Sequence, residues 1–131
     1  MIHVLDAQAL TAYFEKEPGY GKVQELLTES ASGRHSLLLA AVNWGEVYYV
    51  TFREHGEEAA NRIAGVMEEF PLEVVSIDVA IARQAASYKA MHKVPYADCF
   101  AAALAKIHRA TLVTGDKDFK PLEGEIKIAW L

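Results

Sequence analysis

The feature that most limits what this chain can fold into is an alternation. Short apolar runs of strand character, Ile2–Leu5, Leu37–Ala40, Leu72–Ile77, Thr111–Thr114 and Ile126–Trp130, are separated by segments whose apolar residues recur at helical spacing. Helices are expected over Ala7–Lys16, Gly19–Ser30, Trp44–Glu54, Glu57–Phe70, Val79–His92 and Pro95–Arg109. The punctuation agrees, since Pro95 suits a first helical turn and Gly33, Gly56 and Gly115 fall between elements. Apolar strands joined by helices must be covered on both faces, which is the condition of a parallel sheet with helical crossovers. The expected architecture is therefore α/β: a three-layer α/β/α sandwich around a central, mostly parallel five-stranded sheet. There is no internal repeat, low-complexity tract or linker, so residues 1–131 are expected to form a single domain. A chain of that length buries roughly two thirds of its unfolded surface and needs no staples.

Composition then removes several function classes. The only cysteine, Cys99, excludes an internal disulfide and a thiolate zinc cluster. The stretch "MIHVLDAQAL" has neither the basic region nor the long apolar core of a signal peptide, and no apolar run approaches the length that spans a bilayer. A soluble, cytoplasmic protein with no membrane partner is expected. The formal net charge is −5 with Lys and Arg scattered, which argues against gripping duplex DNA through a broad basic face. Nucleic acid held through a bound metal ion or a local basic rim stays open.

The acids carry the chemistry. Asp6 closes the first strand, Glu46 lies in the turn after the second, Asp98 lies in the first turn of "PYADCFAAALA", and Asp116 follows the fourth strand. Each is expected at a helix amino terminus, where a carboxylate caps backbone N–H groups and meets the positive end of the dipole. Asn43 with Glu46 resembles a capping box. Capping accounts for each acid singly but not for their convergence. In a doubly wound sheet the carboxyl ends of the strands share one edge, and a central first strand flanked by the second and fourth points all four acids into one crevice there. Two unit charges about 4 Å apart repel by roughly 4 kcal/mol at an effective dielectric near 20, so a counter-cation is the natural relief. An all-oxygen donor set favours a hard ion, Mg²⁺ or Mn²⁺. Phosphodiester hydrolysis is the chemistry such a cluster fits best.

"VLDAQAL", Glu46, "PYADCFAAALA" and "LVTGDKDF" resemble, in order and spacing, the four signature segments of the PIN-domain ribonucleases, and the likeness spans nearly the whole chain. A chain of this length is most similar to the VapC-type toxins of prokaryotic toxin–antitoxin pairs. The resemblance implies a PIN-like fold and a metal-dependent endoribonuclease acting on RNA. It implies that Asp6, Glu46, Asp98 and Asp116 are catalytic acids binding Mg²⁺ or Mn²⁺, with Asp118 an auxiliary acid and Thr114 and Asn43 polar neighbours. It further implies a cognate antitoxin and a homodimer. Two departures stand out: Ala7 and Gln8 occupy the place where the family commonly has Ser or Thr, and Asn43 stands where a hydroxyl is common.

Other residues read as structure. Asp78 is expected to cap the helix that follows it on an outer strand, and Cys99 to be a small buried apolar group. Ala101, Ala102 and Ala105 share the face of Asp98 and let that helix approach the sheet closely. Arg34, His35, Lys89, His92 and Lys93 read as solvated charge before they read as RNA contacts. "DKDFKPLEGE" opens like a calcium loop, but Pro121 stands where that loop needs glycine. "WGEVYYVTF" is apolar nearly all round its helix, more than a core-facing stripe requires, and is expected to meet another chain. Three readings follow: a toxin endoribonuclease, a nuclease of the same fold in RNA processing without an antitoxin, and a non-catalytic interaction module whose acids are only caps.

Overall fold

A computed structural model describes residues 1–131. Its five strands are β1 (Ile2–Leu5), β2 (Ser36–Ala40), β3 (Glu73–Val75), β4 (Thr111–Thr114) and β5 (Lys127–Trp130). They form one sheet in the order β3-β2-β1-β4-β5, and every neighbouring pair is parallel. β1 is the central strand, with His3 opposite Leu37 of β2 on one side and Thr111 of β4 on the other. The chain reverses its direction of travel across the sheet at this strand, so the switch point lies at the carboxyl ends of β1, β2 and β4, as expected.

The helices are α1 (Ala7–Phe14), α2 (Tyr20–Ala31), α3 (Ala41–His55), α4 (Glu57–Glu69), α5 (Val79–Met91) and α6 (Tyr96–His108). Alternation along each strand sends successive side chains to opposite faces. Val4, Leu38, Ala40 and Leu112 face α5 and α6, where Ile81, Ala85, Phe100 and Leu104 meet them. Leu5, Leu37, Leu39 and Val113 face the other way, onto Leu10, Val23, Leu26, Val47 and Met67 of α1 to α4. These are the two cores of a three-layer sandwich. Every residue of α6 from Asp98 to Ala105 is buried, which its run of alanines permits. No helix is long and apolar enough to cross a membrane.

Three differences from the expected elements matter. First, α3 begins at Ala41, not Trp44, because β2 passes into it with no polar residue between them. Glu46 therefore lies beyond the first turn, and Asn43 is inside the helix instead of capping it. Second, β3 is only three residues long, at the edge of the sheet. Third, Lys117–Leu122 forms a short 3₁₀ helix containing Pro121, which the Gly and Pro punctuation does not announce. On α3 only Asn43 and Val47 are buried, while Tyr49 and Phe52 are 52% and 43% exposed. Asp78 caps α5, its Oδ1 accepting from the Ile81 N–H at 2.9 Å, and Cys99 is fully buried.

Candidate active site

Asp6 emerges from the carboxyl end of β1 and is 2% exposed. It is a helix cap, its Oδ1 accepting from the Ala9 N–H at 2.8 Å. It is also more than that, because Oδ2 accepts from the Thr114 hydroxyl at 2.6 Å across the β1–β4 boundary. The same hydroxyl accepts from the Asp116 N–H at 3.0 Å. Thr114 thus ties the first acid to the fourth and brings a hydroxyl to Asp6 where Ala7 offers none. Asp116 in turn caps the 3₁₀ helix, accepting from the Asp118 N–H at 2.9 Å. For these two aspartates capping and clustering are compatible roles.

Asp98 differs. The residue before the helix is Pro95, with no side-chain cap, and the Asp98 carboxylate is 9% exposed without an ion pair. One oxygen each from Asp98, Asp116 and Asp118 lie within 4.8 Å of one another. Glu46 is held by Asn43, whose Nδ2 donates to Glu46 Oε1 at 2.7 Å and to the Ala97 carbonyl at 3.2 Å. The Asn43–Glu46 pair is thus a side-chain clamp from α3 to α6, not a capping box. The closest grouping is Asp98 with Asp116 and Asp118; Asp6 and Glu46 stand around it, near enough for their charges to act on Asp98.

Burial is the main force on these acids. It pushes Asp6 up to about 7 against the hydrogen bonds from Thr114 and Ala9, with Asp116 and Glu46 adding repulsion. Asp98 is pushed up to about 7 by burial and then by Asp116, Asp6, Glu46 and Asp118. Burial also raises Glu46, opposed by the bond from Asn43, with Asp116 adding to the rise. No basic side chain answers them, because all three ion pairs in the molecule are histidine–glutamate pairs elsewhere. A cluster of oxygen donors that is short of positive charge fits a hard divalent cation. Asp116 is half-buried and Asp118 exposed, so the cluster opens to solvent, and the three hollows of 480 to 600 Å³ in the surface are lined by other residues.

The basic residues considered as RNA contacts make no ion pair with the acids of the cluster. Arg34 and His35 precede β2, at the opposite edge of the sheet, and His35 pairs with Glu29 at 2.7 Å. Lys89 donates to the Val94 carbonyl at 3.1 Å, and His92 faces Glu125 at 3.8 Å. The sequence marks Gln8 only as a departure from the family pattern; in the structure its Oε1 accepts from the Gly115 N–H at 2.6 Å. The available signal was a polar side chain two positions after the first acid.

The sequence pattern of the PIN domain matches residues 3–125. The chain belongs to the PIN domain family. No curated protein matches it. Among solved structures, its PIN fold is similar to that of VapBC2 from Rickettsia felis, with a TM-score of 0.79 at 17% identity over 100% of this chain and 99% of that one. It is also similar to Mycobacterium tuberculosis VapC20, described as a sarcin–ricin loop cleaving toxin, with a TM-score of 0.74 at 16% identity over 95% of both chains. VapBC from Salmonella typhimurium gives 0.75 at 17% identity, over 98% of this chain and 97% of that one. At these identities the likeness concerns the fold, and the PIN assignment rests on the sequence match.

Proposed function

We propose that this PIN domain is a metal-dependent endoribonuclease that hydrolyses RNA phosphodiester bonds and serves as the toxin of a toxin–antitoxin pair. The observation that carries the reading is Asp98, a nearly buried carboxylate with no basic partner, set within 4.8 Å of oxygens of Asp116 and Asp118. Asp98 and Asp116, with Asp118 beside them, would hold Mg²⁺ or Mn²⁺, and Asp6 and Glu46 complete the set. The chemistry such an ion supplies is acidification of water and neutralisation of charge on the departing oxygen. Asp6 accepts from the Thr114 hydroxyl at Oδ2 and from the Ala9 N–H at Oδ1, which fix its carboxylate at the edge of the cluster. Asn43 keeps Glu46 turned toward α6. The half-buried to exposed positions of Asp116 and Asp118 suit a polymer laid across the sheet edge.

Toxin–antitoxin complexes among proteins of the same fold support a cognate antitoxin as partner. Such a partner is expected to offer an Arg or Lys to the acidic edge, exchanging one cation for another. The exposed Tyr49 and Phe52 of α3 support a homodimer through that helix; sedimentation at micromolar concentration should give twice the chain mass. The deciding experiment incubates purified protein with total RNA in EDTA, Mg²⁺ and Mn²⁺ beside Asp98→Asn. Metal-dependent internal cleavage by wild type alone supports the reading, and equal RNA profiles in every lane overturn it.

A further inference from the structure

Gln8 lies in the segment "VLDAQAL" where this chain departs from the family pattern, and its carboxamide lies against Gly115, the residue before the fourth acid. A β-carbon built on Gly115 would meet Gln8 Nε2 and Oε1 at 3.1 Å and Cδ at 3.4 Å. Gly115 is not among the glycines with positive φ, so its backbone does not demand glycine; the space taken by Gln8 does. The amide orientation is chemically determined. A backbone N–H only donates, so the oxygen must face the Gly115 N–H, at 2.6 Å, and the NH₂ group must point away from that N–H. That NH₂ makes no hydrogen bond within the protein, and it is not a buried orphan. The nearest functional groups in sequence on either side, Asp6 and Asp116, are carboxylates, which when ionised only accept. An RNA strand at this edge presents phosphate oxygens that also only accept, so it gains nothing from the acids directly and needs a donor.

We propose that Gln8 is a substrate-binding residue, its amide locked by Gly115 so that Nε2 donates to a phosphate oxygen of the RNA strand beside the acid cluster. The inference rests on the ribonuclease reading above. A competing structural role is that Oε1 merely clamps the turn after β4. Gln8→Glu separates the two when KM is compared at low and high salt, because a carboxylate keeps the acceptor for Gly115 but removes both donors, and salt screens the added charge without restoring a donor. Gln8→Met removes donor and acceptor without adding charge.

The experiment measures KM and kcat for cleavage of a defined RNA, with the melting temperature of each variant in Mn²⁺ as a check on folding and metal binding. Both variants are expected to raise KM about tenfold or more while kcat falls much less, as for loss of a hydrogen bond to a charged group. Gly115→Ala, which displaces the amide, should raise KM in the same direction. An unchanged KM in Gln8→Met overturns the proposal and leaves the nuclease reading standing. Wild-type KM in Gln8→Glu with a raised KM in Gln8→Met also overturns it, in favour of the clamp. Absence of cleavage by wild type in either metal overturns both this proposal and the reading beneath it.

Discussion

The two edges of the sheet both bury ionisable groups, and they reach opposite outcomes. Where the strands begin, burial pushes His3 below its ordinary 6.5, helped by repulsion from His35 and Lys22. Its ring meets His35 edge to face at 5.0 Å, and His35 is paired with Glu29 at 2.7 Å. At neutral pH that edge can leave His3 uncharged and rest. Where the strands end, burial moves Asp6 and Asp98 up to about 7, and no basic side chain is paired with them. Burial acts alike at both edges. What distinguishes the working edge is charge left without an answer.

The comparison breaks most visibly at Asp98. Asp98→Asn should lower RNA cleavage on the order of a thousandfold, as for loss of an electrostatic group that acts on the transition state. The same variant in EDTA should melt at or above wild type, because one repulsive charge has gone. His3→Gln at the opposite edge should leave cleavage unchanged in the same assay.

The next largest effect is the response to metal. Mn²⁺ at about 100 times its dissociation constant stabilises a protein that binds it only when folded by roughly 2.7 kcal/mol, or about 10 °C at this chain length. Wild type should show this shift against EDTA at constant ionic strength, His3→Gln should keep it, and Asp98→Asn should lose most of it. Equal curves for wild type in EDTA and Mn²⁺ would sink the idea that the acidic edge awaits a cation.

Acid sharpens the contrast further, because the two edges respond with opposite sign. Asp6 and Asp98 have folded values near 7 against an ordinary 3.8, so between those limits the folded state binds more protons and metal-free stability rises as pH falls. His3 has a folded value below 6.5, so the unfolded state binds more protons below 6.5 and stability falls as pH falls. Metal-free wild type should therefore show a muted gain in melting temperature between about pH 7.5 and about pH 5.5, and His3→Gln a larger one. Saturating Mn²⁺ should remove the gain in both, since protons then compete with the ion.

The smallest effect isolates what capping alone contributes. Asp78 and Asp6 have nearly the same backbone, φ −95° and −98°, and cap in the same way, to Ile81 at 2.9 Å and Ala9 at 2.8 Å. Asp78→Ala should cost about 1 kcal/mol in denaturant melts and Asp78→Asn only a few tenths, with cleavage intact in both.

The central strands β1 and β4 are legible in the sequence because their apolar runs end against a polar residue or a turn, as Leu5 ends at Asp6 and Thr114 at Gly115. The start of α3 is not, because Leu37 to Val42 contains no polar residue to mark where extended backbone becomes helical. The capping role expected of Asn43 follows from that misplaced boundary. Asp6, Asp98 and Asp116 are recognisable because topology brings strand ends together. The close approach of Asp118 to Asp98 depends on the 3₁₀ turn, which Pro121 disguises. Gln8 is illegible for a different reason: its partner lies 107 positions away, and nothing in either local stretch refers to the other.

The bond from Thr114 to Asp6 joins residues 108 positions apart. During synthesis from the amino terminus, β1 and β2 exist long before β4 can slot in beside β1, and contacts of such long range are the slow part of folding. The acids of the first half therefore wait, without their partners, until the segment holding Asp98, Asp116 and Asp118 arrives. A chain cut short before β4 has the first acid but no edge to set it against. For a protein proposed to be harmful when free, this order of assembly would be a built-in delay: the acid cluster cannot form until β4 and the turn after it have been made.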